Sequence, residues 1–518
     1  MNTLNQALYI PMLDGTNIAA DIWHPQEAKA DDKYPLIIEF TRYWRIAENG
    51  KPQPEIPFFT RHGFAYARVD GRGSGASFGV RGEEHSVGEA RDFSHVIDWM
   101  AEQPWSDGSV AAIGISYAGN TAELAMIDAP QALKASIPRF TDFDVYTTII
   151  YPGGVPNTGF AIPWGHMVRA LDSNSLEEQW VDIVGGHSVK PVDEDSNKLL
   201  LQQAVKEHEN NFNVASVLKK SSYQAVFRDD KKAAGSLQEP HNRSLSPHLA
   251  QNNTRLKTID SYHWASFTDA GTAQGAIARF MGSDAPMKVV IGYWTHGASK
   301  DTNPYIENKE EVSPSYEEQY LSMKAFLVSV GIKPLNQENE TGNTITKTNS
   351  ANGHKERSLY YYTAGENAWK LTHRWPPEGT HLQRFYLAEN TALDSQAPQE
   401  KPSPDKDAYC VNYEAGTGAT TRWSTQSARS PVDYGNRAEA DKLLLTYTSI
   451  PLKQDLEITG HPVICLYMTS TETDGAVIIY LEDVAPDGTV TMLTEGELRL
   501  THRKISVEEP PYPQFGPY

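Results

Sequence analysis

The stretch VAAIGISYAGNTAELAM, Val110 to Met126, decides how this chain is read. An apolar run ends in Gly114-Ile115-Ser116-Tyr117-Ala118-Gly119 and passes at once into good helix formers. A serine between small residues, after a strand pattern and before a helix pattern, has the form of a nucleophile elbow. A strand-to-helix turn that merely needs glycine for its backbone angles is written with the same letters. By composition, a glycine two before and three after a serine arises on the order of 0.2 times by chance in a chain of this size. Ala118 also stands where the general G-x-S-x-G pattern has its second glycine, although alanine is small enough for a sharp turn. The rest of the chain has to decide between the two readings.

Outward from that joint, residues 1–140 alternate strand and helix patterns. ALYIPM and NIAADIW predict a hairpin around Asp14-Gly15, and YPLIIEFT and FAYARVD predict buried strands. VGEARDFSHVIDWMAEQ sets Val87, Ala90, Phe93, Val96, Ile97 and Met100 at helical spacing. Strands separated by helices call for a mainly parallel sheet covered on both faces. Residues 141–252 change character, with aromatics, Pro-Gly breaks and helical stretches such as SNKLLLQQAVKEHENNFN, which predicts a helical cap inserted into the α/β domain. The α/β pattern resumes over 253–333 with LKTIDSYHW, AGTAQGAIARFM, MKVVIGYW and SYEEQYLSMKAFLVSV. A polar linker is expected over 334–357. Over 358–518, SLYYYTAG, LQRFYLAEN, KLLLTYTS, PVICLYMTS, GAVIIYLEDV and VTMLTEGELRLTHR predict a β-sandwich or jelly roll.

The 518 residues are too many for one ordinary core, and 39% hydrophobic with 22% charged residues is a globular composition. A net charge of -20 argues against gripping nucleic acid or an anionic membrane, which need a basic face. No apolar run reaches spanning length, and MNTLNQALYIPMLDG has neither a basic leader nor an apolar core, so a cytoplasmic location is expected. Cys410 and Cys465 could form at most one disulfide and suit a reducing compartment.

A serine hydroxyl needs a base, and histidine titrates in the right range. In an α/β-hydrolase the partners follow in the order serine, acid, histidine, each on a loop after a strand. MKVVIGYW runs into Thr295-His296-Gly297, which puts His296 where the base belongs. Asp269, after a strand and before a helix pattern, is the preferred orienting acid, with Asp260 and Asp301 as rivals. The amide of Tyr117 is one donor to the oxyanion by geometry. YPLIIEFTRYW offers the Tyr43 hydroxyl as a second donor, or equally as packing surface. The glycines of DGRGSGASFG fail the dinucleotide pattern because Ala76 takes the last place, and no histidine or acid cluster has metal-ligand spacing. No cofactor and no metal are expected.

These pieces, in order, resemble the cocaine-esterase-like branch of the α/β-hydrolases, whose relatives include X-Pro dipeptidyl-peptidases and α-amino-acid ester hydrolases. The similarity rests on IPMLDGTNIAADIWHP, TRYW, ARVDGRGSGASFG, EQPWSDGSVAAIGISYAGNTAELA, IGYWTHG, and PVICLYMTS to LTEGELRLTHRK. The elbow of that family reads G-x-S-Y-x-G, which accommodates Ala118. The resemblance implies an α/β-hydrolase domain with an inserted helical cap, followed by a C-terminal all-β jelly-roll domain. It implies Ser116 as nucleophile, His296 as base, Asp269 as acid, and Tyr43 joining the Tyr117 amide in the oxyanion hole. Relatives continue past a segment like EEPPYPQFGPY into further strands, so a sandwich ending at Tyr518 is expected to be truncated or to cover an edge otherwise, a homo-oligomer being one way.

The expected reaction is ester hydrolysis of a small molecule with a bulky or aromatic group, for which Trp44 and Trp164 are candidate pocket walls. In the α-amino-acid ester hydrolases, acids following the catalytic aspartate hold an ammonium. Here Ala270-Gly271-Thr272 follow instead, which weakens recognition of an α-amine. An X-Pro dipeptidyl-peptidase or amidase is the second reading, and glycan binding by the β domain is the alternative from another class.

Overall fold

The computed structural model describes residues 5–213, 215, 254–306, 312–335, 357–397, 407–418, 420–428 and 431–516. Its centre is a ten-stranded sheet. In chain order the elements are β1 (Asn5–Pro11), β2 (Asn17–Trp23), β3 (Tyr34–Thr41), α1 (Glu55–Arg61), β4 (Ala65–Asp70), α2 (Val87–Ala101), β5 (Ser106–Ile115), α3 (Tyr117–Asp128) and β6 (Leu133–Arg139). After the cap, which contains α4 (Thr158–Asp172) and α5 (Leu199–Glu207), come β7 (Asp260–Ser266), α6 (Thr272–Gly282), β8 (Met287–Gly292), α7 (Tyr316–Ser329), β9 (Ser358–Thr363) and β10 (Ala368–Thr372). The strand order is β1-β2-β4-β3-β5-β6-β7-β8-β9-β10. Neighbours from β4 through β9 run parallel, with antiparallel pairs at both edges.

β3 shows why the middle strands read as continuous apolar runs, since all eight of its residues are buried. Leu36, Ile38 and Phe40 face one core with Phe93, Val96 and Ile97 of α2 and Leu124 of α3. Ile37 faces the other, with Phe59 of α1 and Met323 and Leu327 of α7. Ser86 caps α2 by accepting from the Glu89 amide at 3.0 Å. The segment DGRGSG wraps the carboxylate of Asp70, which accepts from the Ala76 amide at 2.9 Å and the Arg45 guanidinium at 2.9 Å. A Cβ on Gly75 would lie 2.2 Å from that carboxyl group, so these glycines serve a close internal approach.

Among its described residues the cap is helical, and residues 216–253 lie outside the description. Met167, Val168 and Leu171 of α4 pack against Ala19, Trp44 and Ala76 of the sheet domain. A buried polar joint lies beside them, where Asp172 accepts from Arg42, Arg81 and Asn211. Burial works against ionisation of Asp172, but Arg81 and Arg42 hold its pKa below the ordinary carboxylate value.

The C-terminal region differs from expectation. SLYYYT, expected as the first strand of a separate β domain, is β9 and extends the main sheet beside β8. Its Leu359 and Tyr361 are buried against Phe280 and Val289, an apolar face that the edge of the α/β sheet could cover. LQRFYLAEN contributes only β11 (Tyr386–Ala388), paired with β12 (Ala392–Asp394). KLLLTYTS makes a single parallel bridge, Thr448 to Ala392 of β12, and PVICLYMTS makes none among the described residues, so neither builds the ladder of a strand. β13 (Ala476–Val484) and β14 (Val490–Arg499) make a bulged hairpin. The described residues therefore show two small antiparallel pairs rather than an eight-stranded jelly roll. Cys410 and Cys465 are free and exposed, and no described helix is long and apolar enough to cross a membrane.

This region docks through directed contacts. Asn157 of the cap donates to the Trp423 carbonyl at 3.0 Å, the Ala270 amide donates to the Arg422 carbonyl at 2.9 Å, and Tyr512 donates to Asp144 at 2.7 Å. Gly153 admits β14, since a Cβ there would lie 1.8 Å from the Glu497 carbonyl oxygen.

Candidate active site

Ser116 sits between β5 and α3 with φ 62° and ψ -128°, a strained conformation for a residue with a side chain. Its amide donates to the Arg139 carbonyl at 3.0 Å, and its carbonyl accepts from the Asn120 amide at 2.8 Å. The two glycines around it answer to separate steric demands. A Cβ on Gly114 would lie 2.2 Å from the Ala118 carbonyl oxygen, and one on Gly119 would lie 2.6 Å from the Arg139 carbonyl oxygen. Ala118 keeps its methyl because Gly114, opposite, has none. The elbow thus exists at the carboxyl end of a central parallel strand, where open α/β sheets bind ligands.

His296 lies four residues past the end of β8, and Asp269 three past the end of β7. His296 Nδ1 is 2.8 Å from Asp269 Oδ2. The imidazole is buried, meets the Phe140 ring edge to face at 5.9 Å, and its Nε2 has no hydrogen-bond partner among the described residues. Asp269 is fully buried, and its Oδ1 accepts from the Thr425 hydroxyl at 3.1 Å. Of the rival acids, Asp260 opens β7 at the far end of the strand, and the Asp301 carboxylate accepts from the Asn303 amide at 2.7 Å. Asp269 is the one beside the imidazole.

Tyr43 follows β3, and its hydroxyl oxygen accepts from the Trp164 indole N–H at 2.8 Å. Burial raises the pKa of this phenol, while hydrogen bonds with Trp164 and Ser116 act to lower it, and the net direction is upward. The hydroxyl therefore keeps its proton at neutral pH, and with the oxygen already accepting, that proton is available to another acceptor. Trp164 is half-buried, with the Arg42 guanidinium over its ring at 5.2 Å. Trp44, by contrast, is 1% exposed and donates its indole N–H to the Leu171 carbonyl at 3.2 Å, so its surface belongs to the core between sheet and cap.

Behind the elbow lies a buried polar layer. Tyr117 donates to Glu89 at 2.6 Å and stacks on His85 at 4.4 Å. Asn120 accepts from the Asp142 amide at 2.9 Å, and Asp142 accepts from the Thr148 hydroxyl at 3.2 Å. Burial, helped by the charge of Asp269, pushes the Asp142 carboxyl up to about 7. Burial likewise pushes Glu89 up to about 7 and His85 down to about 4. Sequence reading missed the pairings of this layer, Thr425 and the Trp164 donor, since most of the partners are distant in the chain and none carries a motif. A cavity of about 220 Å³ lined by Ala129, Leu133 and Ile259 opens at the amino end of β6, the wrong end of the sheet for this site.

The chain as a whole is similar to known proteins. Residues 14–298 match the family described as X-Pro dipeptidyl-peptidase (S15 family), and residues 349–513 match the X-Pro dipeptidyl-peptidase C-terminal non-catalytic domain. A protein of Mycobacterium bovis named a serine esterase is 34% identical over 98% of this chain and 83% of its own length. The cocaine esterase of a Rhodococcus species is 23% identical over 96% of this chain and 83% of its own. An aminopeptidase structure from a marine sediment thaumarchaeon shares the fold, with a TM-score of 0.65 at 19% identity over 96% of this chain and 82% of that one.

Proposed function

This chain belongs to the X-Pro dipeptidyl-peptidase (S15) family and is a serine hydrolase, and on that premise we propose that it cleaves carboxylic esters with Ser116, His296 and Asp269. The observation that carries the reading is His296 itself, bound to Asp269 through Nδ1 at 2.8 Å while Nε2 has no hydrogen-bond partner among the described residues. Asp269 selects the tautomer in which Nδ1 carries the proton and Nε2 is free to accept one. Nε2 takes the proton of Ser116 as the hydroxyl oxygen attacks the substrate carbonyl carbon. The Tyr117 amide and the Tyr43 hydroxyl donate to the oxyanion. Collapse expels the alcohol, protonated by His296, and water releases the acid from Ser116 by the same steps in reverse.

Ester cleavage is favoured over peptide cleavage by two observations. Ala270 and Gly271 follow Asp269 where the α-amino-acid ester hydrolases carry acids, which weakens recognition of the free α-amine that an X-Pro peptide presents, and Gly271 is held against Thr148, its amide donating to that carbonyl at 2.9 Å. The 34% identical relative is named an esterase. The half-buried Trp164 beside Tyr43 supports a bulky or aromatic substrate group. The exposed thiols of Cys410 and Cys465 support a reducing, cytoplasmic setting. Cleavage of X-Pro amides is the second reading, supported by the description of the family.

The test is labelling with a fluorophosphonate and turnover of a panel of aryl esters and X-Pro amides, each with Ser116→Ala alongside. Labelling and turnover are expected to vanish in the variant, with esters preferred. A folded wild-type protein that takes no label would overturn the assignment of Ser116, and preference for X-Pro amides would replace the first reading by the second.

A further inference from the structure

The two carboxylate oxygens of Asp269 are held by different parts of the molecule. Oδ2 faces His296, and Oδ1 faces the hydroxyl of Thr425, which lies in the C-terminal region 156 residues away. Both Asp269 and Thr425 are fully buried. The Thr425 hydroxyl has one proton and two neighbours, Asp269 Oδ1 at 3.1 Å and the Arg422 carbonyl at 2.8 Å. That carbonyl is already served by the Ala270 amide at 2.9 Å, whereas Oδ1 has no other donor among the described residues. A buried carboxylate oxygen without a donor is costly, and a charged acceptor outcompetes a neutral one. The proton therefore belongs to Asp269.

The turn that carries Thr425 is itself clamped. The Arg422 carbonyl takes the Ala270 amide, the Trp423 carbonyl takes Asn157 of the cap at 3.0 Å, and the Arg422 guanidinium donates to the Glu495 carbonyl of β14 at 2.6 Å. A hydroxyl held on such a bracket constrains the carboxylate plane, and through it the imidazole.

We propose that Thr425 is a positioning residue for the triad, so that a domain known in this family as non-catalytic completes the seat of the catalytic acid. This rests on the reading of Ser116, His296 and Asp269 given above. The effect is on geometry at the reacting centre, so it falls on kcat rather than on substrate affinity.

The test uses the full-length chain, a 4-nitrophenyl ester and the variants Thr425→Val, Thr425→Ala, Thr425→Ser and Tyr512→Phe, with rates normalised to the fraction that fluorophosphonate finally labels. Val and Ala are expected to lower kcat about tenfold with KM within about twofold, as loss of one hydrogen bond to a charged group would do. Ser, which restores the hydroxyl, is expected to recover most of the rate. Tyr512→Phe breaks another buried hydrogen bond at the same joint and is expected to stay within about twofold of wild type. Wild-type kcat in a folded Val or Ala variant would overturn the proposal, as would a Ser variant no faster than Val or a Tyr512→Phe variant equally slow. An unlabelled wild type, or turnover retained in Ser116→Ala, would instead sink the triad reading.

Discussion

YPLIIEFT in β3 and PVICLYMTS at 462–470 are apolar runs of similar length with similar strand propensity, and they end in opposite surroundings. β3 pairs with β4 on one side and β5 on the other, and helices cover both faces, so every residue is buried. The second run has no ladder among the described residues, and Val463 is 57% exposed, Ile464 47% and Tyr467 100%. A β pattern states only that a segment can be buried. What buries it is a partner strand on each side and a layer on each face, both supplied by distant residues. The two regions accordingly support the site by different means. The sheet domain does so through packed area, whereas the C-terminal region does so through a few directed hydrogen bonds at Arg422, Trp423 and Thr425.

The sharpest test of that contrast removes packed area. Phe40 is 1% exposed and its ring stacks on Phe93 at 4.1 Å. Phe40→Ala is expected to cost about 4 kcal/mol in chemical denaturation, through lost transfer energy and the cavity left between β3 and α2. A loss below about 1 kcal/mol would mean that this core is not what holds the sheet, and the comparison would break.

The same division explains what could be read in the sequence. The elbow was legible because its strand, turn and helix patterns are contiguous and Gly114 stands beside the Ala118 carbonyl it avoids, whereas the carbonyl that Gly119 avoids, Arg139, lies on β6. The α/β order was legible because helix and strand periods are local, and His296 because a base is needed after a late strand. Asp269 was preferred to Asp260 and Asp301 from its place between a strand and a helix pattern, and in the structure its carboxylate is the one beside the His296 imidazole. Trp44 resembled a pocket wall because tryptophan composition cannot distinguish a cleft from a core. The strands expected at 442–449 and 462–470 failed for the reason given above. Thr425 had no signal at all, since a threonine in a polar turn is ordinary until its partner is known.

A smaller effect depends on pH. Asp142, at the entry to the cap, is buried against Asn120 of the sheet domain, and its pKa is about 7 in the folded chain against an ordinary 3.8. The native state therefore holds a proton that the unfolded chain has already released, so stability from this group is present below about pH 4 and lost as pH rises through 7. That displacement sets a ceiling of about 4 kcal/mol, and with local relaxation we expect about 2. Asp142→Asn, which has no proton to lose, should gain about 2 kcal/mol over wild type at pH 8 and little at pH 4. Urea denaturation at the two pH values measures the difference. An equal change at both would show that the carboxyl is ionised throughout, and that burial at this position is looser than its packing implies.

The smallest expected effect lies at the other pole of the comparison. Tyr467 is 100% exposed, so Tyr467→Ser removes no contact and is expected to change stability by less than about 0.5 kcal/mol, with kcat unaltered. The value of the measurement is its asymmetry. Solvent already surrounds the ring, and serine weakens strand propensity only where a strand exists. A loss above about 1 kcal/mol would therefore require that the 462–470 segment is covered, and the contrast with β3 would reduce to a difference of degree. A null result beside the large loss at Phe40 would confirm that equal apolarity in sequence has unequal weight in the fold, set by how many sides of the chain find a partner.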